Sequence, residues 1–289
     1  MNALKSAILD TYIATTWPWR TRFRAVQSRV GMAPVMVLFY HRVADHDLTP
    51  WTITNDDFRR HLDWLQAKFE LVSLAESQRR IATRFNMRPC VSITFDDGYA
   101  ENCDQAIGEL NARQIPATYF VTLANVVSGE PFPHDVKLGM NAPPNTIDQL
   151  REMVAGGNIE IGGHTRTHAD LGAIHDPDKL QDEVIDASQE LGELVGQSIR
   201  YFAFPFGQCA NLNDVAINML RKHGILGFCS AYGGYNFPGD DPYHIQRIHG
   251  DRELSRLRNW LTVDPRKLAA VHRYQPCYTR LQEAVGGPA

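Results

Sequence analysis

SITFDDGYAEN, residues 92–102, ends an apolar run on two adjacent aspartates, Asp96 and Asp97, and turns at once on Gly98. Neighbouring side chains on a strand point to opposite faces, and like charges side by side repel. A strand that closes on such a pair needs a reason beyond solubility. CVSITFD (90–96) reads as the buried strand, and ENCDQAIGELNARQ (101–114) as the helix that follows it. Upstream, PVMVLFYH (34–41) is a second buried strand. NDDFRRHLDWLQAKF (55–69) places Phe58, Leu62, Leu65 and Phe69 on one helical face, with Thr54 or Asn55 as its cap.

The alternation continues downstream. Strands are expected at 117–122, 158–164, 199–204, 225–230 and 244–248, and helices at 146–157, 176–196 and 213–224. The stretch 123–144, rich in Gly, Pro and Asn, reads as a long functional loop. Short apolar strands alternating with helices imply βαβ units and a parallel sheet. About seven such units suit a single distorted (β/α)7–8 barrel, an α/β fold whose reactive residues gather at the C-terminal ends of its strands. The double aspartate stands at such an end.

The chain has 289 residues, 44% hydrophobic and 21% charged, as in an ordinary globular protein. A formal net charge of −4 argues against a nucleic-acid partner, which would call for a basic domain. Cys90, Cys103, Cys209, Cys229 and Cys277 form no C-x-x-C pair, so neither a zinc ribbon nor a disulfide framework is indicated. No apolar stretch is long enough to span a membrane, and no secretory signal is visible; a cytoplasmic protein is the expectation. Residues 1–30 are set apart. Lys5, Arg20, Arg22, Arg24 and Arg29 face the lone acid Asp10, with Trp17, Trp19 and Phe23 between them. A solvated or core-docked helix would account for this segment; contact with the inner face of an anionic membrane is the alternative. The barrel is expected over 31–275, followed by a tail at 276–289.

Other strand ends are polar too. His41 closes the first strand, and His164 and His168 close the strand at 158–164. Two histidines four apart can hold one divalent metal; a carboxylate makes a third ligand and leaves a position open, as hydrolytic sites require. One aspartate of the pair can be that ligand and the other a general base. The metal's charge would make adjacent carboxylates tolerable, and Gly98 would let the chain turn so that both face the rim.

Together TFDDGY (94–99), GGHTRTH (162–168) and FAFPFG (202–207) resemble the successive motifs of the polysaccharide deacetylases, carbohydrate esterase family 4, which share the NodB-homology domain. The resemblance covers roughly residues 34–250. YHRV at 40–43, the helix with Phe58, His61, Leu62, Leu65 and Phe69, and HIQRI at 244–248 are similar to the poly-N-acetylglucosamine deacetylase branch. The resemblance implies a NodB-type barrel and a hydrolase that removes acetyl from an N-acetylated glycan. Asp96 would be the base; Asp97, His164 and His168 would bind one divalent metal, zinc first, with nickel, cobalt or iron compatible. Thr165 would brace the histidine loop. Phe204, Pro205, Phe206 and Gly207 would wall the acetyl pocket, with the Phe206 N–H on the oxyanion.

Two departures stand out. The family's third motif opens with an arginine that pairs with the base; Ala203 occupies that region here, and Arg247 is the candidate replacement. The usual C-terminal L-x-x-H is absent, and VLFYH, ending in His41, resembles it permuted to the front. His41 is therefore the expected general acid, with His249 in reserve. His134–Asp135, Trp51, Tyr99 and Tyr235 are weaker candidates for substrate contact. Two other functions remain open: hydrolysis of a different C–N bond, in a cyclic amide or a lipid-linked sugar, and glycan binding without catalysis.

Overall fold

The computed structural model describes residues 3–250 and 252–269, so the expected tail at 276–289 and Cys277 lie outside the described residues. In chain order the strands are β1 (Val35–Tyr40), β2 (Arg42–Val43), β3 (Thr52–Ile53), β4 (Glu70–Leu71), β5 (Cys90–Phe95), β6 (Ala117–Val121), β7 (Ile159–Gly163), β8 (Tyr201–Ala203), β9 (Gly227–Cys229), β10 (His244–Ile245) and β11 (Ile248–His249). Nine of them make one sheet, ordered β10-β9-β8-β7-β6-β5-β1-β11 with β4 beside β5. Every pairing in it is parallel. The edge strands β10 and β11 are consecutive in the chain, separated only by Gln246 and Arg247. A sheet whose two edges lie that close must curl until they nearly meet. The result is a distorted (β/α) barrel, closed through residues 246–247.

Strand alternation sorts the core into two shells. Met36, Leu38 and Tyr40 of β1 and Val91, Ile93 and Phe95 of β5 face outward onto Phe58, Leu62, Leu65, Leu110 and Leu257 of the surrounding helices. Val37, Phe120, Tyr201, Ala203, Cys229 and Ile245 form an apolar cluster on the other face. Ser92 and Thr94 share that inner parity on β5, and Asp96 continues it one step past the strand. Gly162 is small because Phe120 occupies its place: a Cβ there would lie 2.4 Å from the Phe120 ring.

The helices depart from expectation in instructive places. The segment 101–114 splits into a 3₁₀ turn, Ala100–Cys103, and a helix, Ala106–Ala112. The presumed loop 123–144 holds two short helices, Leu123–Ser128 and Pro133–Val136. Gly129 ends the first at φ 76°, and Pro133 opens the second, where its missing N–H costs nothing. The helix expected at 176–196 is interrupted by a π-turn at Gln181–Asp186. Helices at Leu74–Ala82 and Leu254–Leu261 complete the outer layer; Ser73 caps the first by accepting from Glu76 N–H.

The N-terminal segment is one helix, Ala3–Arg29, packed against Leu254–Leu261. Arg20 is fully buried and donates to the Asn259 carbonyl at 2.8 Å, Asn259 Oδ1 at 2.7 Å and Thr262 Oγ1 at 3.0 Å. Tyr12 donates to Asp264 at 2.6 Å. One side of this helix is thus docked, while Leu4, Ile8, Trp17, Trp19 and Val26 of the same helix are exposed. Among the described residues no helix is long and apolar enough to cross a membrane.

Candidate active site at the barrel rim

The two aspartates part company at the end of β5. Asp96 keeps the inward direction and meets Arg247 at the barrel seam in a bidentate pair, Nη1 to Oδ1 at 2.6 Å and Nη2 to Oδ2 at 2.9 Å. The guanidinium is fully buried. It also donates to the Ser230 carbonyl at 3.0 Å and Thr94 Oγ1 at 3.1 Å, and lies 4.8 and 5.3 Å from the ring centroids of Phe39 and Phe120. Burial opposes ionisation of Asp96, but Arg247, seconded by His164, holds its pKa below the usual carboxylate range.

Asp97 turns away because its own backbone is left-handed, at φ 75°, one residue before Gly98 at φ 108°. The sharp turn therefore starts on the aspartate itself, not only on the glycine. Its Oδ1 lies 3.4 Å from His164 Nε2 and 3.3 Å from His168 Nε2. That oxygen is buried and has no hydrogen-bond partner. His164 Nδ1 is 2.8 Å from the Ala203 carbonyl and must donate its proton there, which leaves Nε2 as a lone pair. Zinc bonds of 2.0–2.1 Å at a tetrahedral angle put neighbouring ligand atoms ~3.3 Å apart. The spacing of this orphaned oxygen and the two imidazoles matches that value, so the donor set fits a small divalent ion.

A cavity of about 200 Å³ opens over this cluster, lined by His41, Trp51, Asp97, His134, His168 and Phe206. His41 is set by the end of β1: Asn102, fully buried, donates to the His41 carbonyl at 2.8 Å and accepts from Val43 N–H at 2.8 Å. Burial pushes the His41 pKa down to about 4 against the pull of Asp97 and Asp96, and its Nδ1 is buried without a partner. His249 is a neighbour of His41, ring centroids 6.1 Å apart, but does not line the cavity.

Of the weaker candidates, Trp51 and His134 reach the cavity, with ring centroids 5.4 Å apart. The loop leading to Trp51 is held by buried Arg42, which pairs with Glu101 and donates to the carbonyls of His46 (3.1 Å) and Asp47 (2.7 Å). His134 is fixed from behind: Tyr99 donates to Asp135 at 2.8 Å and so accepts from His134 Nε2 at 2.8 Å. Tyr99 is thus a buried support, and Tyr235 is core, bonded to the Trp260 carbonyl at 2.9 Å. Asp135, read from sequence as half of a loop pair, is fully buried.

Two expectations need correction. Phe204 does not wall the cavity; its ring packs against Phe202 and Phe228, because parity sets it opposite Ala203, on the sheet face covered by the helices, while Phe206, at φ 59°, swings out to 56% exposure. Pro205 and Gly207 are buried beside it and do not line the cavity either. Thr165 does not brace the histidine loop through its side chain, since its Oγ1 is buried without a partner. The brace is Glu183, which the sequence reading missed: it accepts from the N–H groups of Arg166 (3.1 Å) and Thr167 (2.9 Å) and from Thr167 Oγ1 (2.6 Å). Its one signal was a carboxylate next to the apolar face of a helix.

With this geometry in view, the comparisons are specific. The polysaccharide deacetylase family model matches residues 85–227, the span that carries both aspartates, both histidines and FAFPFG. Residues 85–227 belong to the polysaccharide deacetylase family. YxkH of Bacillus subtilis, whose name assigns it provisionally to the same family, is 26% identical over 219 residues, 75% of this chain and 71% of the relative. The chitooligosaccharide deacetylase of Rhizobium leguminosarum is 30% identical over 105 residues, 36% of this chain and 38% of that protein. Among solved structures, IcaB from Ammonifex degensii superposes with a TM-score of 0.66 at 25% identity, covering 80% of this chain and 97% of that one. That superposition agrees with the barrel and its curled parallel sheet.

Proposed function

We propose that this protein is a metal-dependent hydrolase that removes acetyl from an N-acetylated sugar, in a polysaccharide, an oligosaccharide or a glycan intermediate. The observation that carries the reading is the unequal treatment of two adjacent buried carboxylates. Asp96 is neutralised by the chain's own Arg247, while Asp97 faces two imidazoles with an oxygen left unpaired. Asp97, His164 and His168 would hold the ion, with zinc first among candidates. A divalent ion supplies a Lewis acid that acidifies water and polarises the acetyl carbonyl.

The remaining roles fall to the chain. Asp96 stays ionised beside Arg247 and takes the proton of the attacking water. Phe206 lines the cavity, and its N–H would receive the oxygen that gains charge. His41 lines the same cavity and delivers a proton to the departing amine, so amide and water become amine and acetate. Burial keeps the His41 ring neutral near pH 7, so the proton it gives up must reach it within the cycle. Trp51 offers an aromatic face to the sugar ring, and the chitooligosaccharide deacetylase match favours such a substrate.

The test is acetate release from chitooligosaccharides by the purified zinc-loaded chain, with and without a chelator. Release that stops on chelation and returns with added zinc supports the reading. Hydrolysis of small cyclic amides in place of the sugars would move the substrate class, and sugar binding with no acetate released would make the protein a binder.

A further inference from the structure

The loop that carries the two histidines is held in an unfavourable shape. Thr165 has φ 66° and His168 has φ 59°, both left-handed in residues that carry a Cβ. Such conformations persist only where surrounding contacts over-determine them. On one side the loop is tied to the start of the Leu123–Ser128 helix, through Leu123 N–H to the Thr165 carbonyl at 3.2 Å and Ala124 N–H to the Arg166 carbonyl at 2.8 Å. On the other side it meets the π-turn at Gln181–Asp186.

A π-turn fits an extra residue into one helical turn, and such turns are frequent at functional sites. Here it buries Glu183 together with Val184 and Ile185, in a helix whose flanking inward positions are the apolar Leu180, Ala187 and Leu191. The Glu183 carboxylate, only 3% exposed, accepts the three bonds from Arg166 and Thr167 described above. The Glu183 main-chain carbonyl accepts from Arg166 N–H as well, at 3.0 Å. The Arg166 side chain closes the clamp on the same helix, at 2.8 Å to Asp182 and 2.8 Å to Glu190. The two clamped residues are those between Thr165 and His168.

We infer that Glu183 is a positioning residue for the metal: through the π-turn it holds the 165–168 loop so that His168 Nε2 stays beside His164 Nε2 and Asp97 Oδ1. It touches neither the ion nor the substrate. The inference rests on the metal-site reading of Asp97, His164 and His168.

The full chain is stripped of metal and titrated with zinc in competition with a chelating dye; cobalt absorption bands report the ligand geometry. Glu183→Ala should weaken zinc binding about 10- to 100-fold, the range for groups that orient metal ligands, and should alter the cobalt bands. Glu183→Gln can accept the two N–H bonds on its oxygen and donate to Thr167 Oγ1 through its amide. It should therefore restore affinity to within a few-fold, because shape and not charge is what the loop needs. Thr167→Val removes only one of the bonds and should lie between. A folded Glu183→Ala protein with wild-type affinity and bands overturns the inference. If that variant does not fold, Thr167→Val decides, and wild-type behaviour there overturns it equally. A wild-type chain that takes up no zinc overturns the metal reading itself and this role with it.

Discussion

Asp96 and Asp97 are adjacent, both buried, and treated in opposite ways. Asp96 receives a guanidinium that is itself buried, bidentate and flanked by two aromatic rings. Asp97 receives two imidazoles too far for a good hydrogen bond, with one oxygen facing no donor. A buried carboxylate whose charge is cancelled by the fold is finished when folding ends. One that lacks a donor is finished only by something added. The difference separates a charge held ready from a charge held open, and the divided roles proposed for the pair follow from it.

Exchanging the two residues for their neutral amides should break that comparison most visibly. Asp97→Asn is expected to lose the metal and, with it, all acetate release. Asp96→Asn should keep metal content near wild type while turnover falls about 10²- to 10⁴-fold, as for removal of a general base. Elemental analysis beside a kcat measurement checks both. Metal lost from Asp96→Asn and kept in Asp97→Asn would mean the roles are reversed.

Removing Arg247 attacks the finished half alone. Arg247→Ala leaves a buried carboxylate uncompensated and should cost about 3–5 kcal/mol of stability, read by urea unfolding. The pH consequence has a definite sign. Arg247 holds the Asp96 pKa low, so the base stays ionised down to acid pH, and the stability this lends is present above the normal carboxylate pKa and lost as pH falls through the lowered one. Without the guanidinium burial acts unopposed, the Asp96 pKa rises, and the acid limb of kcat/KM should move to higher pH. Arg247→Lys keeps a charge and should show the smaller displacement. An unmoved limb in both variants would separate Asp96 from the base role.

The mildest change lies outside both halves. Trp51→Ala should raise KM several-fold, the worth of about 1 kcal/mol of aromatic contact, while metal content and the acid limb stay put. A fall in kcat with KM unchanged would show that Trp51 does not hold the sugar.

Legibility from sequence followed the same division. The barrel could be read because β5 and its partners are short apolar runs with helices between them, and period and length survive without tertiary knowledge. Asp96, Asp97, His164 and His168 could be singled out because they sit at the ends of such runs. Arg247 could be named as the partner of Asp96 only through the family resemblance; what brings it there is the seam, since two residues far apart in the chain become neighbours only when β10 and β11 close the sheet. Phe204 was misplaced because a motif gives order but not parity, and one left-handed residue, Phe206, reverses which ring faces out. Glu183 gave only a faint signal because a π-turn shifts the helical phase by a residue, and periodicity arguments assume that no such shift occurs. The helix Leu254–Leu261 gained its place from Arg20 of the N-terminal helix, a contact no local pattern encodes.

The left-handed residues of the rim have a consequence for how this protein can change. Asp97, His168 and Phe206 each adopt a backbone shape that glycine would take without steric strain. Random mutation screened only for a sturdier fold should therefore drift toward glycine at these positions, eroding the catalyst while improving the scaffold. What keeps side chains there is demand from the chemistry, set against the preference of the polymer.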